Sequence, residues 1–86
     1  MNPEKDSAVL KALGHPVRLK ILAGLRSSDG CNVSEMTGKI GIPQSTLSQH
    51  LGILRNQGII AARKEGVRTC YRIVDSRVVK MLDLLK

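Results

Sequence analysis

A mainly α chain carrying one small β-hairpin is the fold class this sequence predicts, and three observations predict it. Apolar residues recur at the three-and-four spacing of an amphipathic helix in several separate stretches. Gly and Pro stand between those stretches, where the chain must turn. One later stretch, IIAARKEGVRTCYRIV at residues 59–74, changes instead to two short extended runs around a glycine.

The elements follow in order. The first helix is expected from residue 3 or 4 to residue 13, with Pro3 in the opening turn, Glu4 and Asp6 near its positive end and Gly14 at its stop. A second begins at Pro16, places Val17, Ile21, Leu22 and Leu25 on one side, and ends in the turn cluster Ser27, Ser28, Asp29, Gly30. A third, shorter helix is signalled by Asn32 with Glu35 three residues later, the spacing of a capping box, and carries Val33, Met36 and Ile40. Gly38 inside it costs roughly 1 kcal/mol against Ala. Gly41 ends it and Pro43 opens the next.

The fourth helix, residues 44–57, repays arithmetic at ~100° per residue. Leu47, Leu51 and Leu54 form one narrow stripe. Ser45, Gln49, Gly52 and Asn56 cluster opposite, flanked by Thr46 and Ser48, and His50 sits beside the stripe. Gly58 supplies the stop. In the hairpin, Thr69, Tyr71 and Ile73 share one face of the second strand and Arg68, Cys70 and Arg72 the other. Residues 76–86 form a last helix whose Val78, Val79, Met81, Leu82 and Leu85 are too many apolar groups for a short terminal helix left uncovered.

Eighty-six residues, with no repeat, linker or low-complexity segment, make one domain spanning 1–86. A chain this short buries roughly 60% of its unfolded surface. With one Tyr and no Phe or Trp, its core is aliphatic, and pairing with a second copy is a natural way to gain buried area. The start, MNPEKDSAVL, lacks the pattern of a secretory signal, and no apolar run approaches the ~18 residues of a membrane helix, so a soluble, cytoplasmic protein is expected with no membrane partner. In that compartment Cys31 and Cys70 are thiols by default.

Fourteen Lys and Arg against seven Asp and Glu leave a net charge of +7, and the excess is local. Between residues 44 and 72 stand Arg55, Arg63, Lys64, Arg68 and Arg72, opposed only by Glu65. Such a balance favours a polyanion, with nucleic acid first. Three helices, the last two joined by a tight glycine turn, then a basic hairpin, spell a winged helix-turn-helix. A helix lying in the major groove needs side chains that donate and accept at base edges, which Gln, Ser, Thr and Asn supply. Long cations belong beside phosphates. Ser45, Ser48 and Gln49 are therefore the expected base readers. Gln44, Ser45 and Thr46 offer a helix N-terminus to a phosphate, and Arg63, Lys64 and Arg68 hold the backbone beside the hairpin tip. His50 divides between a packing role and a phosphate contact. Double-stranded DNA is the expected partner.

The runs ALGHPVRLKILAGL, VSEMTGKIGIPQSTLSQHLGILRNQGII and RKEGVRTCYRI resemble the ArsR/SmtB family of bacterial winged-helix repressors over about residues 12–73. The resemblance implies a homodimer built through the first and last helices, with Leu10, Val78, Leu82 and Leu85 at the seam, binding a palindromic operator to repress transcription. It also marks departures. Where the arsenic and cadmium branches carry Cys-x-Cys at the third helix, this chain has Asn32 and Ser34. Where the zinc and nickel branches carry Asp and His on the last helix, it has Asp83 and no histidine. The sulfide-sensing branch's first thiol falls near Ala23. With histidines only at His15 and His50, no metal or other cofactor is expected.

Cys31 and Cys70 are more often inert small hydrophobes than sensors. Arg68 and Arg72 on the face of Cys70 nonetheless make a redox- or sulfur-responsive repressor one alternative. A winged-helix module that binds an acidic protein is another. No nucleophile with a base, paired carboxylates or phosphate loop is legible, so an enzyme is the least favoured class.

Overall fold

The computed structural model describes residues 1–85. In chain order it comprises α1 (Pro3–Leu13), α2 (Pro16–Ser27), a 3-10 turn (Val33–Glu35), α3 (Met36–Ile40), α4 (Gln44–Asn56), β1 (Ile60–Glu65), β2 (Arg68–Ile73) and α5 (Ser76–Leu84). This is the expected mainly α winged helix-turn-helix with its single hairpin. The expected reach of α5 to residue 86 falls partly outside the described residues; the helix ends at Leu84 with Leu85 as its cap.

Local chemistry sets the helix starts. The Asn2 side-chain oxygen accepts the Lys5 N–H at 3.1 Å, while the Asn2 N–H donates to the Asp6 carboxylate at 3.1 Å, so two otherwise orphaned donors are satisfied reciprocally. His15 Nδ1 accepts the Val17 N–H at 3.1 Å and caps α2. The Asp75 carboxylate does the same for α5 through the Arg77 N–H at 2.9 Å. Arg77 also pairs with Asp75 at 2.9 Å and Asp6 at 3.0 Å, tying the start of α5 to that of α1. These bonds to Arg77 hold both carboxyls below the ordinary aspartate range.

The capping box expected at Asn32 is absent. Asn32 makes no side-chain cap, and the chain winds through the 3-10 turn before α3 begins at Met36. The cause lies just upstream, where Gly30 and Cys31 are held against the hairpin and deliver Asn32 at φ −121°, ψ 43° rather than in the extended geometry of a cap.

One aliphatic cluster holds the elements together. Leu47, Leu51 and Leu54 of α4 bury their stripe with Ile21, Leu22 and Leu25 of α2, and Ile59 and Ile60 carry the root of the hairpin into the same cluster. The antiparallel strands pair Ile60 with Ile73, Arg63 with Cys70 and Glu65 with Arg68. Gly66, at φ 65°, takes the first of the two turn positions, where a type II′ hairpin requires glycine. Gly30 extends the ladder: its carbonyl accepts the Tyr71 N–H at 2.9 Å, and a Cβ there would overlap the Tyr71 carbonyl oxygen. Only glycine lets the loop after α2 lie this close to β2.

Candidate nucleic-acid interface

The leucine stripe fixes what α4 shows to solvent. With Leu47 and Leu54 fully buried and Leu51 at 4% exposure, the helix has no rotational freedom, and Gln44, Ser45, Ser48 and Gln49 stand exposed on its other side. Thr46 is half-buried at the edge of that row. Nothing lies within 4 Å of where a Gly52 Cβ would be, so that glycine keeps the face low over open space.

His50 belongs elsewhere. Its Nδ1 lies 3.3 Å from an Arg18 guanidinium nitrogen, its ring centroid is 4.8 Å from that of His15, and Arg18 Nε donates to the Ala12 carbonyl at 2.6 Å. Arg18 has no acceptor to offer, so His50 Nδ1 accepts and its proton sits on Nε2. Burial first, then His15 and Arg18, push the His50 pKa below its ordinary value. Of the two roles the sequence leaves open, this environment favours packing: a neutral strut between α4 and the α1–α2 corner.

The wing divides its cations. Arg63 is paired with Glu65 at 2.5 Å, whereas Lys64 and Arg68 are exposed and carry no ion pair among the described residues. Sequence reasoning passes over one feature between wing and helix. Arg55 and Tyr71 line a shallow groove with Ser48 and Gly52. Arg55 is one turn beyond Leu51 and is visible as a charge. That it shares a groove with Tyr71, on a different element, is not.

The residues expected at a seam between copies separate in depth. Leu10 and Leu85 are 56% and 70% exposed and border an apolar groove between α1 and α5, together with Leu13, Met81 and Leu82. Val78 corrects the expectation. It is fully buried in the protomer's own core, so it forms the floor of the groove and presents no surface to a partner.

Cys31 and Cys70 also depart from their expected state as separate thiols. They are joined by a disulfide that links the loop after α2 to β2. The charge nearest Cys70 is expected to be cationic, yet the Glu65 carboxylate lies 3.7 Å from its sulfur. Arg68 and Arg72 share the strand face by parity but extend to solvent.

A thirteen-residue helix with one side locked in the core and the other lined by uncharged hydrogen-bonding groups, set after a tight turn and before a basic hairpin, is the arrangement of a winged helix-turn-helix DNA-binding domain. Residues 13–63 match a family described as a helix-turn-helix domain. The chain is 42% identical over 82 residues to an uncharacterized HTH-type transcriptional regulator of Methanocaldococcus jannaschii, across 95% of this chain and 92% of that one. It is similar in structure to the transcriptional repressor PagR of Bacillus anthracis, with a TM-score of 0.84 and 34% identity over 96% of this chain and 94% of that one. It is also similar to the homodimeric winged helix-turn-helix DNA-binding domain Mb0332 of Mycobacterium bovis, described as a possible ArsR-family regulator, with a TM-score of 0.83 and 32% identity over 95% and 75% of the two chains. The chain belongs to the ArsR/SmtB family of helix-turn-helix regulators. No helix among the described residues is long and apolar enough to cross a membrane.

Proposed function

We propose that this protein is a homodimeric, sequence-specific transcriptional repressor of the cytoplasm that reads a palindromic operator through α4 and grips the flanking backbone with its wing. The observation that carries the reading is the exposed row Gln44, Ser45, Ser48 and Gln49, held rigidly outward by the buried leucines behind it. Ser45, Ser48 and Gln49 address base edges; Gln44 and Thr46 bring the helix N-terminus to a phosphate. Lys64 and Arg68 neutralise phosphates beside the hairpin, with Arg63 tempered by Glu65.

The apolar groove between α1 and α5 supports the dimer, since Leu10 and Leu85 remain largely exposed among the described residues and the Mycobacterium bovis relative is homodimeric. A two-fold dimer presents two copies of α4 to successive major grooves, ~34 Å apart. Selection of duplexes from a random pool should return an inverted repeat. Replacing Ser45, Ser48 and Gln49 together with Ala should then weaken binding to it by at least ~100-fold, at roughly 1–3 kcal/mol for each base edge no longer read, while non-specific binding changes far less. An equal loss on both duplexes would point to the competing reading, a module for an acidic protein.

The disulfide favours a second reading in which the same repressor responds to thiol chemistry. Cys31–Cys70 joins the loop leading into the helix-turn-helix to the wing, so its reduction removes the covalent tie between that loop and the wing. Operator titrations of oxidised and reduced protein should differ in affinity; identical curves would remove this reading and leave the first intact.

A further inference from the structure

We infer that Cys31, Cys70 and Glu65, once the disulfide is opened, form a binding site for a thiophilic divalent cation. The two sulfurs and a Glu65 carboxylate oxygen all lie within 4.8 Å of one another. They come from three places in the chain: the loop after α2, β2, and the end of β1 beside the hairpin turn. Two thiolates on one zinc-sized ion sit about 3.8 Å apart when each metal–sulfur bond is near 2.3 Å. Side-chain rotation therefore suffices to bring these donors onto a common centre.

The surroundings favour a cation over a reactive thiolate. Nucleophilic cysteines sit in electropositive surroundings that lower their pKa, whereas the group 3.7 Å from Cys70 Sγ is a carboxylate. A divalent ion binds all three groups in their charged forms. Two thiolates and one carboxylate leave a single negative charge on the occupied site. Arg63, already paired with Glu65 at 2.5 Å, offsets it. Sulfur donors select the soft end of the divalent series, zinc and cadmium over magnesium and calcium. Cys70 is buried and Cys31 half-buried, while Glu65 is exposed, so the ion enters from the wing side with water completing its coordination.

The chemistry balances with a trialkylphosphine as reductant. The phosphine and one water open the sulfur–sulfur bond, giving phosphine oxide and two thiols. The cation then displaces one proton from each thiol, and Glu65 joins as the third ligand without proton loss. The site is independent of how α4 reads DNA, and its test needs no duplex.

Phosphine-reduced protein titrated anaerobically with cadmium should develop an ultraviolet thiolate-to-cadmium charge-transfer band that saturates at one ion per protomer, with release of up to two protons. The oxidised protein should give no band, and Cys70→Ser should lose it. Glu65→Gln retains both thiols and sits on an exposed strand end, so its fold is not at stake. It should weaken binding by at least the roughly tenfold that losing even an outer-shell partner costs. No band from reduced protein whose circular dichroism is native would overturn the site. So would a Glu65→Gln affinity equal to that of the parent chain.

Discussion

The outward face of α4 and the tip of the wing are both exposed, yet they are built on opposite plans. The α4 face carries short uncharged groups on a helix pinned by three buried leucines. The wing carries long cations on a two-stranded ribbon whose burial lies mainly at its root, at Ile60, with Cys70 held by the disulfide partway along. A base edge must be met within a few tenths of an ångström, and only a rigid mount delivers that. A phosphate accepts a lysine or arginine over a broad range of directions, so flexible side chains serve. Where the chain invests its buried area tracks which task demands position.

Leu47→Ala attacks the mount and should have the largest effect, about 2–5 kcal/mol of folding stability, because it empties a fully buried site. Chemical denaturation measures it, and a loss below ~1 kcal/mol would mean that α4 is not held as described. Lys64→Ala with Arg68→Ala attacks the wing instead. Stability should hardly move, while the slope of log affinity against log salt should fall by about 0.9 for each phosphate left without its cation. An unchanged slope would return both side chains to solvent.

Two glycines sharpen the comparison. Gly38 and Gly52 lie within helices at ordinary φ, with open space where an added methyl would stand, and nothing in the structure explains Gly38. Gly38→Ala should stabilise by up to about 1 kcal/mol and leave operator affinity alone. Gly52→Ala should stabilise similarly but reduce operator affinity, since its methyl would rise on the face proposed to meet DNA. Equal operator affinity in the two variants would place Gly52 outside the interface.

The smallest effect concerns pH. His50 has a folded pKa below its unfolded value near 6.5, so the unfolded chain binds the proton first as pH falls. The contribution is fully present above pH ~6.5 and is lost as pH drops through the folded value. His50→Gln should flatten the thermal stability profile between about pH 7 and 5. Asp6 and Asp75, depressed below 3.8, act only in more acidic solution.

Much of this is legible in the chain because helical periodicity and glycine stops are local. The stripe Leu47, Leu51, Leu54 identifies both the buried and the outward face of α4, and Gly66 identifies the hairpin turn. The family resemblance sets Val78 at the seam by its place on the last helix and carries no information on depth; the side chain lies beneath the groove. Contacts between distant positions leave no trace. Neither the pairing of Cys31 with Cys70 nor the approach of Gly30 to Tyr71 has a signature in spacing. Asn32 fails as a cap for that reason, because a remote strand fixes the backbone that leads into it.

Arg18 gives the architecture a keystone. From α2 its guanidinium reaches the last turn of α1 through Ala12 and the reading helix through His50. The planar fork points two donors along different directions, which a lysine ammonium cannot reproduce at those positions. The side of the molecule that bears Leu10 is thus mechanically continuous with the side that bears Gln49. In the proposed dimer, this arginine would link the reading helix to the surface on which two copies meet.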